Sequence, residues 1–267
     1  MSKLITLGCS FSEGMGCYDI ELYNSYNISD YTKLPTTYHE NIKEFVLNNS
    51  IGRYLQNIFG FSEYHNYAHA SSSNQTQFLK FFKDLPKGND ITILWQITYY
   101  DRKSIIDESY FCDTHGNMGN SWLDSYYSNL LENFNGDIDK IKNAERLELN
   151  LYVNVLNEFC KVNGWNFYIW FFDYGETSKF INQFPNSLEY TIPFHNKKLN
   201  EFESYVDITG DFHPNQHGYK SIAESLADCI IKNCKNFTAP NEIPTKVVDK
   251  TSKELPTHGI FSPKSIF

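Results

Sequence analysis

Arginine is nearly absent: Arg53, Arg102 and Arg146 are the only three, and lysine supplies the rest of the 23 basic side chains set against 32 acidic ones. A formal net charge of −9 is a poor match for a phosphate backbone, whose binding draws on clustered Lys and Arg, so nucleic acid is not an expected partner. Long apolar runs are also missing. Nothing approaches the roughly 20 consecutive apolar residues of a membrane span, and the opening Met-Ser-Lys-Leu-Ile-Thr-Leu-Gly lacks the apolar stretch of about 7–15 residues found in a signal peptide. No membrane contact and no export by the usual route are therefore expected. The six cysteines (Cys9, Cys17, Cys112, Cys160, Cys229, Cys234) form no C-x-x-C pair and no metal-finger spacing, which points to reduced, packed thiols and a cytoplasmic setting. No internal repeat is visible.

What is present suffices for a packed core. The chain has 267 residues, close to the size at which single cores begin to split, and 41% hydrophobic with 16% aromatic residues is a globular composition. Asn, Ile and Tyr are plentiful, as in the AT-rich genomes of many phages and some bacteria, and a virion-associated location follows if the gene is a phage's.

The run Lys3 to Leu7 reads as a buried strand ending in the turn Gly8-Cys9-Ser10-Phe11-Ser12. Apolar positions from Ile42 to Ile58 make a helix pattern broken near Asn48 to Ser50. A second strand is expected around Glu63 to Ala68, then a helix carrying Phe78, Leu79, Phe81 and Phe82, capped by Ser73 or Asn74. Ile91 to Trp95 is the clearest central strand. Residues 103–135 are aromatic but patternless and read as an insertion over one end of the sheet. A long helix follows from Asp137, with Ile138, Ile141, Ala144, Leu147, Leu151, Val155 and Phe159 at three- and four-residue intervals up to the stop at Gly164. Trp165 to Phe172 reads as another strand, and Gln216 to Lys232 as a last helix capped by Asn215. Residues 235–267, with four prolines and little periodicity, read as an extended tail that wraps the domain, mediates homo-oligomerisation or is partly mobile. Alternating strands and helices indicate an α/β fold, whose sites form at the C-terminal ends of parallel strands.

Two motifs carry chemistry. A serine on a turn directly after the first strand presents its hydroxyl at the sheet edge, where its own N–H helps hold a developing oxyanion; Ser10 stands there. Taken alone, a Gly-x-Ser turn is more often structural. The second motif, Asp211-Phe212-His213-Pro214-Asn215, holds a histidine on a loop just before the last helix. A strand-ending Gly-x-Ser near the N-terminus together with Asp/His-Pro before the final helix resembles the SGNH, or GDSL-like, hydrolases.

That resemblance covers residues 1–234 and implies a three-layer α/β/α sandwich around a parallel sheet of about five strands, flavodoxin-like in kind. It implies a serine esterase with Ser10 as nucleophile and His213 as base, acting without metal or organic cofactor. Asn66-Tyr67-Ala68-His69-Ala70-Ser71-Ser72-Ser73-Asn74 is similar to the family's second block, with Ser71 in place of its glycine, and either Ser71 or Ser72 is the implied backbone donor to the oxyanion. The asparagine of the third block is missing. Leu94 to Arg102 instead resembles a divergent branch met in phage proteins, which makes Thr98 or Gln96 the side-chain donor and gives Arg102 a part in orienting loop or substrate. The family's aspartate, three residues before the histidine, is replaced by Gly210; Asp211, Asp207 or a backbone carbonyl remain as the group orienting the imidazole. The implied substrate is a small-molecule or glycan acyl ester, with O-deacetylation of a carbohydrate as the specific form and Tyr99, Tyr100, Tyr126 and Tyr127 as stacking surfaces.

The same residues admit other readings. Asp211, His213 and His217 form a possible metal cluster, although Pro214 interrupts the helix that two histidines four apart would need. His65 and His69 fall on a strand and turn and do not point together, and His195 reads as an ordinary loop histidine. A catalytically inactive binding or virion structural protein on the same fold is the rival class, since fold alone does not secure activity.

Overall fold

All seven residues of the third strand are buried, on both of its faces, which places it at the centre of a sheet covered on each side. The computed structural model describes residues 2–14, 44–69, 72–98, 103–106, 111–114, 132–133, 135–171, 184, 187–188 and 213–233. Along these the elements are β1 (Lys3–Leu7), α1 (Ser10–Glu13), α2 (Ile51–Phe59), β2 (Glu63–Asn66), α3 (Asn74–Lys83), β3 (Ile91–Ile97), β4 (Lys103–Ile106), β5 (Phe111–Thr114), α4 (Ile138–Val162), β6 (Asn166–Phe171) and α5 (Gln216–Asn233). Four strands pair in parallel in the order β2-β1-β3-β6. The expectation is about five; beyond β6 the described residues add only a single parallel bridge, Ile169 to Ser187.

Side-chain alternation divides the sheet into two faces. Leu4, Leu94, Tyr168 and Trp170 point to one side, where Ile51, Leu55 and Phe59 of α2 and Tyr219, Ile222, Leu226 and Ile230 of α5 cover them. Ile5, Leu7, Ile93, Trp95, Phe167 and Ile169 point to the other, against Phe81 of α3 and Leu149, Val153, Leu156 and Cys160 of α4. The fold is therefore a three-layer α/β/α sandwich. The chain steps from β1 to β2 through α2, then reverses, reaching β3 through α3 and β6 through α4. A reversal at constant handedness requires the helices of the two directions to lie on opposite faces, as they do. It also opens a crevice between the C-terminal ends of β1 and β3, where α/β folds place ligands.

Short polar side chains set the helix starts. Ser50, Ser73 and Asp137 each accept a hydrogen bond from the backbone N–H three residues on. Residues 44–48 are helical, and the break before α2 falls where the apolar pattern lapses.

Two expectations are corrected. In α4, Leu147, Leu151 and Val155 are not core residues: they are 66%, 59% and 41% exposed, whereas Leu149, Val153 and Leu156 meet the sheet. Both sets recur at helical spacing, so periodicity alone does not say which one the sheet selects. Within the segment 103–135, where no pattern is expected, the described residues of β4 and β5 form an antiparallel hairpin. The tail 235–267 lies outside the described residues.

Tyr64 locks β2 to its neighbours. Its hydroxyl lies 3.1 Å from both Thr6 Oγ1 of β1 and Ser50 Oγ at the start of α2, and Gly52 lies so flat on its ring that a β-carbon there would collide with it. Burial pushes the phenol up to about 12, against 10.0 ordinarily. The unfolded chain therefore loses this proton first: the contribution is complete below about pH 10 and fades as pH rises towards 12. Urea titrations at about pH 9 and 11 are expected to show a smaller loss of stability for Tyr64→Phe than for the wild type. Equal losses would overturn the assignment.

Candidate active site

β1 ends in a turn that only glycine accommodates. Gly8 has φ +146°, and a β-carbon there would lie 2.7 Å from Gln96 Cβ and 2.7 Å from Ser12 Oγ. The chain then enters α1, which closes at Gly14, φ +101°, whose N–H returns to Ser10 O. Two fully buried glutamines hold the amides of this turn. Gln77 Oε1 of α3 accepts from Gly8 N at 3.0 Å, while Gln96 Oε1 of β3 accepts from Cys9 N at 3.3 Å, Ser12 N at 3.1 Å and Ser12 Oγ at 2.9 Å. Among the described residues the Ser10 N–H donates to no partner, and Ser10 is half-buried at the crevice.

From the other end of the sequence, α5 delivers the imidazole. Asn215 caps the helix, its Oδ1 accepting from His217 N at 2.9 Å and Gly218 N at 3.0 Å, while buried Tyr219, Ile222 and Leu226 seat the helix on the sheet. His213 stands two residues before that cap. Its Nε2 lies 2.8 Å from Ser10 Oγ, across 203 positions of sequence. The Phe11 ring stacks on the imidazole, with centroids 4.8 Å apart and planes at 26°. The other ring nitrogen, Nδ1, is buried.

The loops after β2 and β3 complete the surroundings. Asn66 Nδ2 donates to Ser12 O and Glu13 O, and its Oδ1 accepts from Thr6 Oγ1 and Ala68 N. His69 N donates to Gly8 O, tying the second loop to the nucleophile turn. Asn74 bridges to the third loop, its Oδ1 accepting from Thr98 N and its Nδ2 donating to Thr98 O, both at 3.0 Å.

This geometry sorts the expected donors. Ser72 does not offer its amide: its N–H donates to His69 O at 3.1 Å, its hydroxyl donates to the same oxygen at 2.7 Å, and the residue is buried. Gln96 does not face a substrate either, because it is 0% exposed and its oxygen is turned under the turn. Thr98 is anchored through its main chain, and its hydroxyl makes no hydrogen bond among the described residues. Ser71, Arg102, Asp211, Asp207, His195 and the tyrosines 99, 100, 126 and 127 lie outside the described residues. His217 is exposed on the first turn of α5, and His65 pairs with Glu63 at the surface. Among the described residues no three His, Cys, Asp or Glu side chains converge as a metal site.

Sequence reading missed Phe11, Gln77 and the role of Gln96. A phenylalanine beside a serine carries no signal of its own. Gln77 is a polar residue inside an apolar helix pattern, and Gln96 a polar residue inside an apolar strand; each such interruption marks a buried hydrogen-bonding demand.

No protein-family model matches the chain, and no curated protein matches it. Among solved structures it is similar to a protein assigned to the lipolytic G-D-S-L family from Desulfitobacterium hafniense DCB-2, at 14% identity and TM-score 0.40, over 86% of this chain and 99% of that one. It is also similar to a member of the lipolytic G-D-S-L family from Veillonella parvula DSM 2008, at 11% identity and TM-score 0.31, over 85% and 97%. Likeness of that size assigns neither a reaction nor a catalytic residue to this chain.

Proposed function

We propose that this protein is a serine hydrolase that cleaves an acyl ester. The observation that carries the reading is the 2.8 Å contact between Ser10 Oγ and His213 Nε2 at the crevice between β1 and β3. Both groups stand out on separate sequence grounds, and nucleophile and base within hydrogen-bond reach is the arrangement acyl transfer needs.

In the proposed reaction His213 Nε2 takes the Ser10 proton as Oγ attacks the ester carbonyl. The negative charge gathers on the carbonyl oxygen, where the Ser10 N–H, a Ser71 amide and the Thr98 hydroxyl are the proposed donors. Collapse breaks the bond to the alcohol, which leaves with the proton from His213. Water, deprotonated by the same imidazole, then attacks the acyl-serine; the bond to Ser10 Oγ breaks, Oγ takes the proton back from His213, and the acid is freed. Asp211 is the proposed partner of Nδ1, fixing the tautomer that leaves Nε2 able to accept, and Arg102 is proposed to orient the loop or the substrate. Ser72 and Gln96 drop out of the donor set, one by its bonds to His69 O and the other by its burial under the turn. The proposed substrate class is an acetylated carbohydrate.

A fluorophosphonate probe is expected to label the wild type once, with the adduct mapped by mass spectrometry to Ser10, and p-nitrophenyl acetate is expected to turn over. Absence of both would favour a binding or structural role on this fold. Acetate release from acetylated glycans at rates exceeding those on simple esters would support the carbohydrate assignment; the reverse order would remove it.

A further inference from the structure

β3 reads Ile-Thr-Ile-Leu-Trp-Gln-Ile, and a carboxamide in such a strand is costly unless its polar atoms are used. Gln96 is 0% exposed, and its oxygen accepts from three donors that straddle Ser10: Cys9 N on one side, Ser12 N and Ser12 Oγ on the other. The Cys9 thiol also lies 3.6 Å from that oxygen. These donors fix which way the amide faces, since a flipped Gln96 would set its NH2 against them. Its Nε2 is left buried without a partner among the described residues. The chain thus tolerates one unsatisfied donor in order to put an acceptor under the nucleophile turn.

We infer that Gln96 is a positioning residue for Ser10, an inference that rests on the reading of Ser10 as nucleophile. Gln77 takes the Gly8 amide and Gln96 takes those of Cys9 and Ser12, so the Ser10 N–H is left undonated among the described residues. The same clamp fixes the backbone on each side of Ser10 and so aims its hydroxyl at His213 Nε2. Gly8 makes the clamp possible, because its missing side chain lets Gln96 Cβ and Oε1 approach the turn. Gln96 touches no substrate in this scheme and acts wholly through Cys9 and Ser12.

The test is inactivation by a fluorophosphonate, resolved into the binding constant KI and the chemical rate kinact, for the wild type, Gln96→Met, Gln96→Glu and Ser12→Ala. Methionine keeps the volume without the acceptor and should lower kinact by about 10²-fold, the penalty of a misplaced nucleophile, with KI unchanged. Glutamate keeps an oxygen for all three donors and should restore kinact to within a few-fold of the wild type. Ser12→Ala removes one donor, adds no bulk and should lower kinact about threefold to tenfold. Folding is followed by circular dichroism. A folded Gln96→Met reacting at the wild-type kinact overturns the inference, as does a Gln96→Glu as slow as Gln96→Met. If Gln96→Met does not fold, a Ser12→Ala with unchanged kinact does so instead. Those results leave Ser10 as nucleophile, whereas a wild type that never reacts removes both the nucleophile and the positioning role of Gln96.

Discussion

If the proposed reaction holds, turnover of an activated ester is expected to fall by about 10⁴-fold when His213 is replaced by glutamine. Glutamine approximates the imidazole in length and still offers a polar end to Ser10 Oγ, but it cannot take a proton at neutral pH. The loss is therefore chemical and should appear in kcat, with KM little changed. Ser10→Ala should cost at least as much, since it removes the attacking atom. The double variant should be no slower than Ser10→Ala alone, because a base without a nucleophile does nothing. Stability serves as the control. His213 is half-buried and stacks on Phe11, a contact of about 0.5–1.5 kcal/mol, so the melting temperature should move by only a few degrees. A His213→Gln protein that keeps activity within tenfold of the wild type would remove the imidazole from the mechanism. Multiplicative losses in the double variant would show that the two side chains act separately.

The parts of this site that were legible share a cause: each is announced by a local rule. Ser10 comes just after five residues that are apolar enough to be a buried strand, and a strand followed by Gly-x-Ser makes a turn at the sheet's C-terminal edge. His213 precedes a proline and an asparagine that begin a helix, and Asn215 does cap it. The buried central strand, the capped α3 and the long α4 follow from equally local patterns. What was not legible depends on which surfaces meet. Ser71 and Ser72 are equivalent donors on paper, and only the bond from Ser72 N to His69 O takes one out of contention. Gln96 and Thr98 lie two apart, and strand alternation puts them on one face. Gln96 stands under the turn because Gly8 leaves a gap of the right size, a fact of two segments 88 positions apart. The α4 stripes fail in the same way: Leu147, Leu151 and Val155 satisfy helical periodicity as well as Leu149, Val153 and Leu156 do, and the sheet decides between them.

Gly8→Ala is expected to produce the largest loss of stability of any single methyl addition at the site. Two costs combine. A residue with a β-carbon at φ +146° is strained by about 1–3 kcal/mol, and overpacking a filled region costs about 1–3 kcal/mol more. The second cost should fall at the upper end. The new methyl would sit 2.7 Å from Gln96 Cβ, and that atom is fixed to the backbone of the central strand, unlike the end of a flexible side chain. Relief requires either β3 or the Ser10 turn to move. A loss of about 3–5 kcal/mol corresponds to roughly 8–15 °C in melting temperature for a chain of this size. Gly136→Ala is the matched control: Gly136 also has positive φ, at +75°, but nothing lies within 4 Å of the added carbon, so strain alone applies and the drop should be a few degrees. Equal drops for the two variants would mean that the Gly8 turn is not crowded by Gln96. If the drop is instead large at Gly8 and the folded fraction at low temperature also reacts slowly with a fluorophosphonate, the turn has moved to make room. The same close approach that packs β1 against β3 would then be what sets the nucleophile.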